Sequence, residues 1–188
     1  SLNYIHIPMN RKISPFSDLK TIFYLSRALI KNKPDIIHSY TPKAGMVCAI
    51  SGYLCRIPIR IHTFTGLIFP YRKSTIRYIL SIIDSLICKL NTHIIAEGQG
   101  VKKLLLENKI TNKNINIIGN GNIAGVDTKY YNPEKFKHNE KTLELKRYFN
   151  INENSITFIF AGRINKDKGI IELLNSYTKS YNENINLI

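Results

Sequence analysis

The chain has 188 residues, 44% of them hydrophobic, with a formal net charge of +14 and a pI near 9.7. That length supports one domain or one and a piece, and no apolar run reaches the roughly 18 residues that a membrane-spanning helix needs. The charge points to an anionic partner: nucleic acid, an anionic membrane surface or phosphorylated small molecules. Lysine, isoleucine and asparagine are all abundant; a biased genome composition would inflate all three, so the charge signal is given less weight. Cys48, Cys55 and Cys88 are odd in number and lack metal-type spacing, so they are expected to fill core space in a reducing compartment.

Strand and helix patterns alternate, which argues for parallel sheets with crossover helices. Residues 3–8 read as a strand rather than a leader sequence. Ser17 or Asp18 stands where a helix cap belongs, and Leu19, Ile22, Phe23, Leu25, Leu29 and Ile30 carry the helical spacing to about Lys33. Pro34 ends that helix, and Asp35 to Tyr40 reads as a short buried strand. Pro42 and Gly45 then fall in a loop before a small-residue helix, Ala44 to Cys55. Ile59 to Phe64 is the next strand, followed by a loop from Thr65 to Lys73 that contains Gly66.

A long helix is predicted from Ser74 to Leu90, with Ile76, Ile79, Leu80, Ile83, Leu86 and Ile87 in a broad stripe and Arg72, Lys73, Arg77 and Lys89 as cations. Two readings stand for it: a core-packing helix with a solvated basic end, or a basic amphipathic surface for anionic lipid. Then follow a strand at His93 to Ala96, a helix at Gly100 to Glu107 and a strand at Asn116 to Gly119.

Gly119 to Ala124 fits the spacing of a dinucleotide fingerprint, but Val126 to Pro133 does not continue as a helix, so the context fails. A tight glycine loop at the edge of a cleft is the better account. The polar stretch from Asp127 to Asn154 reads as a connection with a short helix near Lys141 to Phe149. Ile156, Phe158, Ile159 and Phe160 read as a buried parallel strand, after which Gly162 allows a tight turn and a helix opens at Gly169. A glycine turn between a strand end and a helix N-terminus is where an α/β protein grips a phosphate. Arg163 can fork onto two phosphate oxygens, and Lys168 adds a point charge. The bland alternative is a solvated basic loop paired to Asp167 or Glu172. A helix reaches about Tyr181, and Asn184 to Ile188 looks like another strand.

Four segments in series resemble the retaining, nucleotide-sugar-dependent glycosyltransferases of family 4, above all those that build capsular polysaccharide and O-antigen. They are Lys33 to Gly45, Arg60 to Gly66, Asn120 to Asp127, and Ala161-Gly162-Arg163 with Lys168-Gly169. The resemblance implies a GT-B-like α/β fold of two Rossmann-like domains with parallel sheets. Residues 1–127 would be the acceptor-side domain without its first strand, 128–154 the connection, and 155–188 the start of a truncated nucleotide-sugar domain. Family members also carry a strand and glycine-rich loop ahead of these motifs and a Glu-x7-Glu pair beyond them. Neither pattern occurs here, so the 188 residues alone are expected to be inactive.

The same resemblance implies a donor diphosphate held by Gly162, Arg163 and Lys168, with Arg163 and Lys168 neutralising the leaving group. His62 would sit beside the reacting sugar, in a register that Thr63 to Gly66 can shift; a satisfied histidine at a strand end is the other reading. His38, Lys43, Gly45, Gly66, Asn120 and Gly121 would line the acceptor side or the cleft, although His38 can equally hydrogen-bond a core group. No metal and no cofactor are implied. The donor would be a nucleoside-diphosphate sugar of hexosyl or N-acetylhexosaminyl type, and the acceptor a saccharide or lipid-linked saccharide. The location would be cytoplasmic, with peripheral contact on the inner face of an anionic membrane, and no nucleic-acid partner is expected. A basic nucleic-acid-binding protein and a sugar-nucleotide epimerase of the same fold are the competing readings.

Overall fold

The computed structural model describes residues 4–10, 14–72, 74–122, 125–137, 139–152, 154–180 and 184–188, apart from the side chains of residues 74 and 167. The chain divides into two compact units, Ser1–Gly125 and Val126–Ile188.

The first unit runs α1 (Pro15–Asn32), β1 (Ile36–Ser39), α2 (Pro42–Leu54), β2 (Ile59–Phe64), α3 (Ser74–Leu90), β3 (His93–Ala96), α4 (Gln99–Glu107) and β4 (Ile115–Asn116), with a 3-10 turn at Phe69–Tyr71. Its sheet has the order β1-β2-β3-β4, parallel throughout. Three successive crossovers step the same way across the sheet, so right-handed connections put their helices on one face. The packing of α2 against both α1 and α3 agrees. Between that layer and β2 to β4 lies the core of Phe64, Phe69, Ile87, Ile94, Leu105 and Ile115. Cys88 is part of it, and burial pushes its thiol up to about 12. Cys48 and Cys55 are half-buried.

Several boundaries differ from the sequence reading. Helix α1 starts at Pro15, with Ser14 as N-cap and proline at the first helical position, where its missing N–H costs nothing. Asp18 therefore lies inside the helix, and its Oδ2 accepts the Ser14 N–H at 3.2 Å. Leu19, Phe23 and Ile30 face solvent, and the buried side runs through Asp18, Thr21 and Leu29. Helix α2 starts two residues early, so Pro42 and Gly45 are helical rather than loop.

Residues 4–8 form no strand; Tyr4 and Ile5 are exposed, and the tie to the fold is the Thr21 hydroxyl donating to the Pro8 carbonyl at 2.9 Å. The strand expected there also included Asn3, which lies outside the described residues, as does the cation Lys73. Strand β1 was expected to be buried, yet Ile36, His38 and Tyr40 are exposed. It is the edge strand, and its side away from α2 is not covered by the crossover helices.

The second unit holds two short helices, α5 (Pro133–Phe136) and α6 (Glu140–Tyr148), then β5 (Ile156–Phe158), α7 (Ile170–Lys179) and β6 (Ile185–Leu187). The asparagines before the short helices cap them: Asn132 Oδ1 accepts from Glu134 N at 3.0 Å and Asn139 Oδ1 from Lys141 N at 2.9 Å. Strands β5 and β6 pair in parallel. Strand β5 is not buried as expected: Ile156, Phe158 and Ile159 are all more than half exposed, because two strands and one helix cannot enclose it.

Candidate functional site

A parallel sheet gathers its loops at the carboxyl ends of its strands, where α/β proteins bind ligands. In the first unit that end collects His38 to Lys43 after β1, Thr63 to Gly66 after β2, Glu97 and Gly98 after β3, and Gly119 to Asn122 after β4. Residue alternation divides the tip of the sheet into two faces.

On the face toward α2, parallel register sets Ser39 opposite His62. The Ser39 hydroxyl is 2.9 Å from His62 Nδ1, and the ring packs edge-on against Phe64 with centroids 4.5 Å apart. Gly45, in the first turns of α2, lies flat over the imidazole; a Cβ there would come within 2.8 Å of Nδ1 and closer still to Cε1. His62 is 1% exposed. Burial, and secondarily the nearby His38, lowers its pKa to about 4, so the ring is neutral at physiological pH. The resemblance put His62 beside the reacting sugar; the fold puts it beneath α2, with Thr65 as the exposed residue at the mouth of the same loop.

The closeness of Gly45 to His62 yields a stability prediction. Gly45→Ala is expected to cost about 2 kcal/mol, because overpacking forces the ring or the helix to move. The thermal midpoint should fall by about 4–8 °C. Combining it with His62→Ala should recover much of that loss relative to the sum of the two single changes, as for groups in contact. A fall of less than a degree for Gly45→Ala would mean that α2 is free to shift.

On the other face, His38 is open. Its Nε2 lies 2.8 Å from the Thr63 hydroxyl, and Tyr40 lies against its ring with centroids 4.3 Å apart. Partial burial lowers its pKa. Of the two histidines singled out from sequence, His38 is the one that solvent reaches.

Lys43 stands in the first turn of α2, at the positive end of the helix dipole. A buried partner offsets that: Asp18 Oδ1 lies 2.7 Å from Lys43 Nζ. The sequence signal for this pair was weak, since 25 residues separate the two and Asp18 reads as a cap. Gly66 has φ +141, a conformation that other residues rarely adopt. Asn120 and Gly121 belong to a turn that docks on the end of β3. Gly121 has φ +91, a Cβ there would lie 2.9 Å from the Glu97 carbonyl oxygen, and Asn122 N–H donates to that same oxygen. Glycine is required at this point by backbone-to-backbone approach. Ile123 and Ala124, the last positions of the fingerprint-like pattern, lie outside the described residues.

In the second unit, β5 leads through Phe160 to Gly162 and Arg163; a 3-10 turn, Lys166–Lys168, then brings the chain to Gly169, the N-cap of α7. Arg163 and Lys168 are exposed. The left-handed residue is Gly169, with φ +69, whereas Gly162 has an ordinary φ and its Cβ would meet the Phe160 ring at 3.3 Å. The chain bends at Gly162 as expected, and the left-handed residue that leads into α7 is Gly169. The Asp167 side chain, a candidate pairing partner, lies outside the described residues. Among the described residues, no three His, Cys, Asp or Glu side chains gather as a metal site would need.

The model of Glycosyltransferase Family 4 matches residues 3–123. The chain belongs to glycosyltransferase family 4. This family 4 chain is 34% identical, over 94% of its length, to the capsular polysaccharide biosynthesis glycosyltransferase CapM of Staphylococcus aureus. It is 29% identical, over 82% of its length, to the UDP-Gal:alpha-D-GlcNAc-diphosphoundecaprenol alpha-1,3-galactosyltransferase of Escherichia coli. It spans 46% of the first relative and 38% of the second. The crystal structure of HepE from Anabaena, in complex with UDP, superposes with a TM-score of 0.64 at 14% identity, covering 92% of this chain and 52% of HepE. That likeness shows the fold, which is GT-B-like. Among the described residues, no helix is long and apolar enough to cross a membrane.

Proposed function

We propose that these residues belong to an enzyme that moves a sugar from a nucleoside diphosphate to a saccharide acceptor in cell-surface polysaccharide synthesis. The observation that carries this reading is the family match, supported by a strand–turn–helix whose turn carries Arg163 and, beside the Gly169 N-cap of α7, Lys168. Backbone N–H groups at a helix N-terminus and two cations suit a diphosphate. Both cations would stabilise the charge that builds on the leaving diphosphate as the glycosidic bond breaks, so metal assistance is not required. Transfer with retention, through front-face attack in which the leaving phosphate helps take the acceptor proton, is the route proposed. His62 would act from beneath, keeping the start of α2 in place, while His38, Gly66 and the Gly121 turn would shape the acceptor side.

The Escherichia coli relative's name contains a diphosphoundecaprenol-linked saccharide, which supports a lipid-linked acceptor here too. Such an acceptor places the enzyme on the cytoplasmic face of a membrane, in peripheral contact with it. The same relative's name gives UDP-Gal as its donor, which supports a hexosyl or N-acetylhexosaminyl donor here. The family match favours sugar transfer over the epimerase and nucleic-acid readings.

The test is UDP release from a panel of UDP-hexoses and UDP-N-acetylhexosamines by the protein that contains these residues, with and without a diphosphoundecaprenol-linked saccharide. Acceptor-dependent release of UDP with one donor is expected. Conversion of the free donor to its epimer without acceptor, or no UDP release with any donor, would overturn the proposal.

A further inference from the structure

The first unit carries five acids, Asp18, Asp35, Asp84, Glu97 and Glu107. Four of them are engaged or lie away from the carboxyl end of the sheet. Asp18 is paired with Lys43, and Glu107 lies 3.7 Å from Lys103. Asp84 is buried on the inner face of α3, and Asp35 stands at the amino end of β1. Glu97 is the first residue past β3, at the carboxyl end. It is half-buried, and among the described residues its carboxylate has neither a hydrogen bond nor an ion pair. The chain has a net charge of +14, so position rather than a shortage of cations leaves this carboxylate open.

The backbone of Glu97 is held on both sides. Its N–H donates to the Phe64 carbonyl at 3.0 Å, which carries the β2–β3 ladder one residue past Ala96. Its carbonyl accepts the Asn122 N–H and is covered by Gly121, where a Cβ would lie 2.9 Å away. Ala96 is buried on the core side beside Phe64. Alternation therefore sets Glu97 on the opposite face, the one that carries His38 and Thr63. The loop that follows is open: a Cβ on Gly98 or on Gly100 would meet nothing within 4 Å. On the same face, two strand spacings or about 10 Å away, the rings of His38 and Tyr40 lie 32° from parallel, with Tyr40 46% exposed.

A carboxylate fixed at a strand tip, with an aromatic pair across from it, suits a sugar. Its two oxygens accept two hydroxyls at once, and hydrogen bonds to a charged acceptor are about twice as strong as neutral ones. It repels phosphate, so it addresses the neutral saccharide end of an acceptor. We propose that Glu97 is a specificity-determining residue that accepts hydrogen bonds from two neighbouring hydroxyls of the acceptor saccharide. This deepens the transferase reading and rests on it for the identity of the ligand. Glu97 takes no proton in this role; it fixes which hydroxyl of the acceptor sugar faces the donor.

The competing role is structural, since an acid just ahead of α4 favours the positive end of that helix, whose N-cap is Gly98. Kinetics separate the two. In the protein that contains these residues, Glu97→Gln is expected to raise the acceptor KM about ten- to a hundredfold. The donor KM and the slow release of UDP to water should stay within about twofold of the parent. Glu97→Asp should recover part of the loss, and circular dichroism checks that both variants are folded. The probes are short-chain alkyl diphosphates of glucose, galactose and their N-acetylamino forms, each with its single-deoxy analogues. Deleting one hydroxyl of the recognised pair should cost the parent about tenfold in kcat/KM and the glutamine variant much less, because its partner is already gone. An unchanged acceptor KM in Glu97→Gln, equal losses with acceptor and with water, or equal deoxy penalties in parent and variant would overturn the proposal. Saturation-transfer NMR with the same probes reads acceptor binding without turnover. Binding that Glu97→Gln weakens, in a protein that transfers nothing, would sink the transferase reading and keep the role of Glu97. Transfer and binding that Glu97→Gln leaves intact would sink that role alone, and probes that neither bind nor react would overturn both.

Discussion

Replacing Arg163 and Lys168 together with alanine is expected to lower sugar transfer on the order of a thousandfold. Single donors aimed at a developing oxyanion are worth about 10²–10³ in rate, and two cations serving one diphosphate act as a unit, so their losses do not simply multiply. Most of the effect should fall on kcat, because the charge they neutralise grows as the leaving diphosphate departs. Arg163→Lys keeps the charge but loses the planar fork, and should cost roughly tenfold. Both side chains are exposed, so the fold should survive, which far-UV circular dichroism checks. The decisive measurement is the initial rate of UDP release across donor concentrations. A double variant within threefold of the parent would remove the diphosphate from this loop.

Asp84→Asn is expected to stabilise the protein at alkaline pH and to do little in acid. The carboxyl is 6% exposed on the inner face of α3. Burial pushes its pKa from 3.8 to about 7, with no compensating charge or side-chain hydrogen bond among the causes. The folded state therefore binds more protons than the unfolded state between those two values, and stability falls as pH rises through that window. Above it, ionised Asp84 costs up to about 4 kcal/mol relative to the protonated form. Asparagine has nearly the same shape and no charge to bury. Chemical denaturation of parent and variant from pH 4 to pH 8 should show curves that diverge as pH rises and flatten above neutrality. Parallel curves would mean that water or a cation reaches the carboxylate. The conserved volume makes this a test of charge rather than of packing.

Periodicity located much of the architecture. The bounds of β2, α3 and β3 agree with the sequence reading residue for residue, since each is a run of one period closed by a proline, a polar turn or a chain reversal. The ends of α1 and α2 were read late because both begin with a proline, which reads as a breaker from inside a helix and as a starter at its first position. Burial was read less well than secondary structure. Ile36 of β1, Ile156 and Phe158 of β5, and Leu19, Phe23 and Ile30 of α1 are as apolar as core residues, yet all are open. Hydrophobicity states what a residue would tolerate, while neighbours state what it receives.

The candidate site divides in the same way. The glycines and cations around the turn before α7 could be read from sequence because they lie within ten residues of one another and their order is their geometry. The role of His62 was not legible, because it depends on Ser39 and Gly45, some twenty residues away and brought under the ring by parallel register and by the first turns of α2. Nor was the pairing of Asp18 with Lys43. The sequence by itself determined the alternation of strands and helices, the family and the strand–turn–helix from Ile156 to Lys179, all of which rest on short-range patterns. Only the tertiary structure decided which histidine is open, which glycine takes the left-handed turn and which face of α3 is left bare. Those depend on contacts between segments far apart in the chain, and a linear pattern does not encode which segments meet.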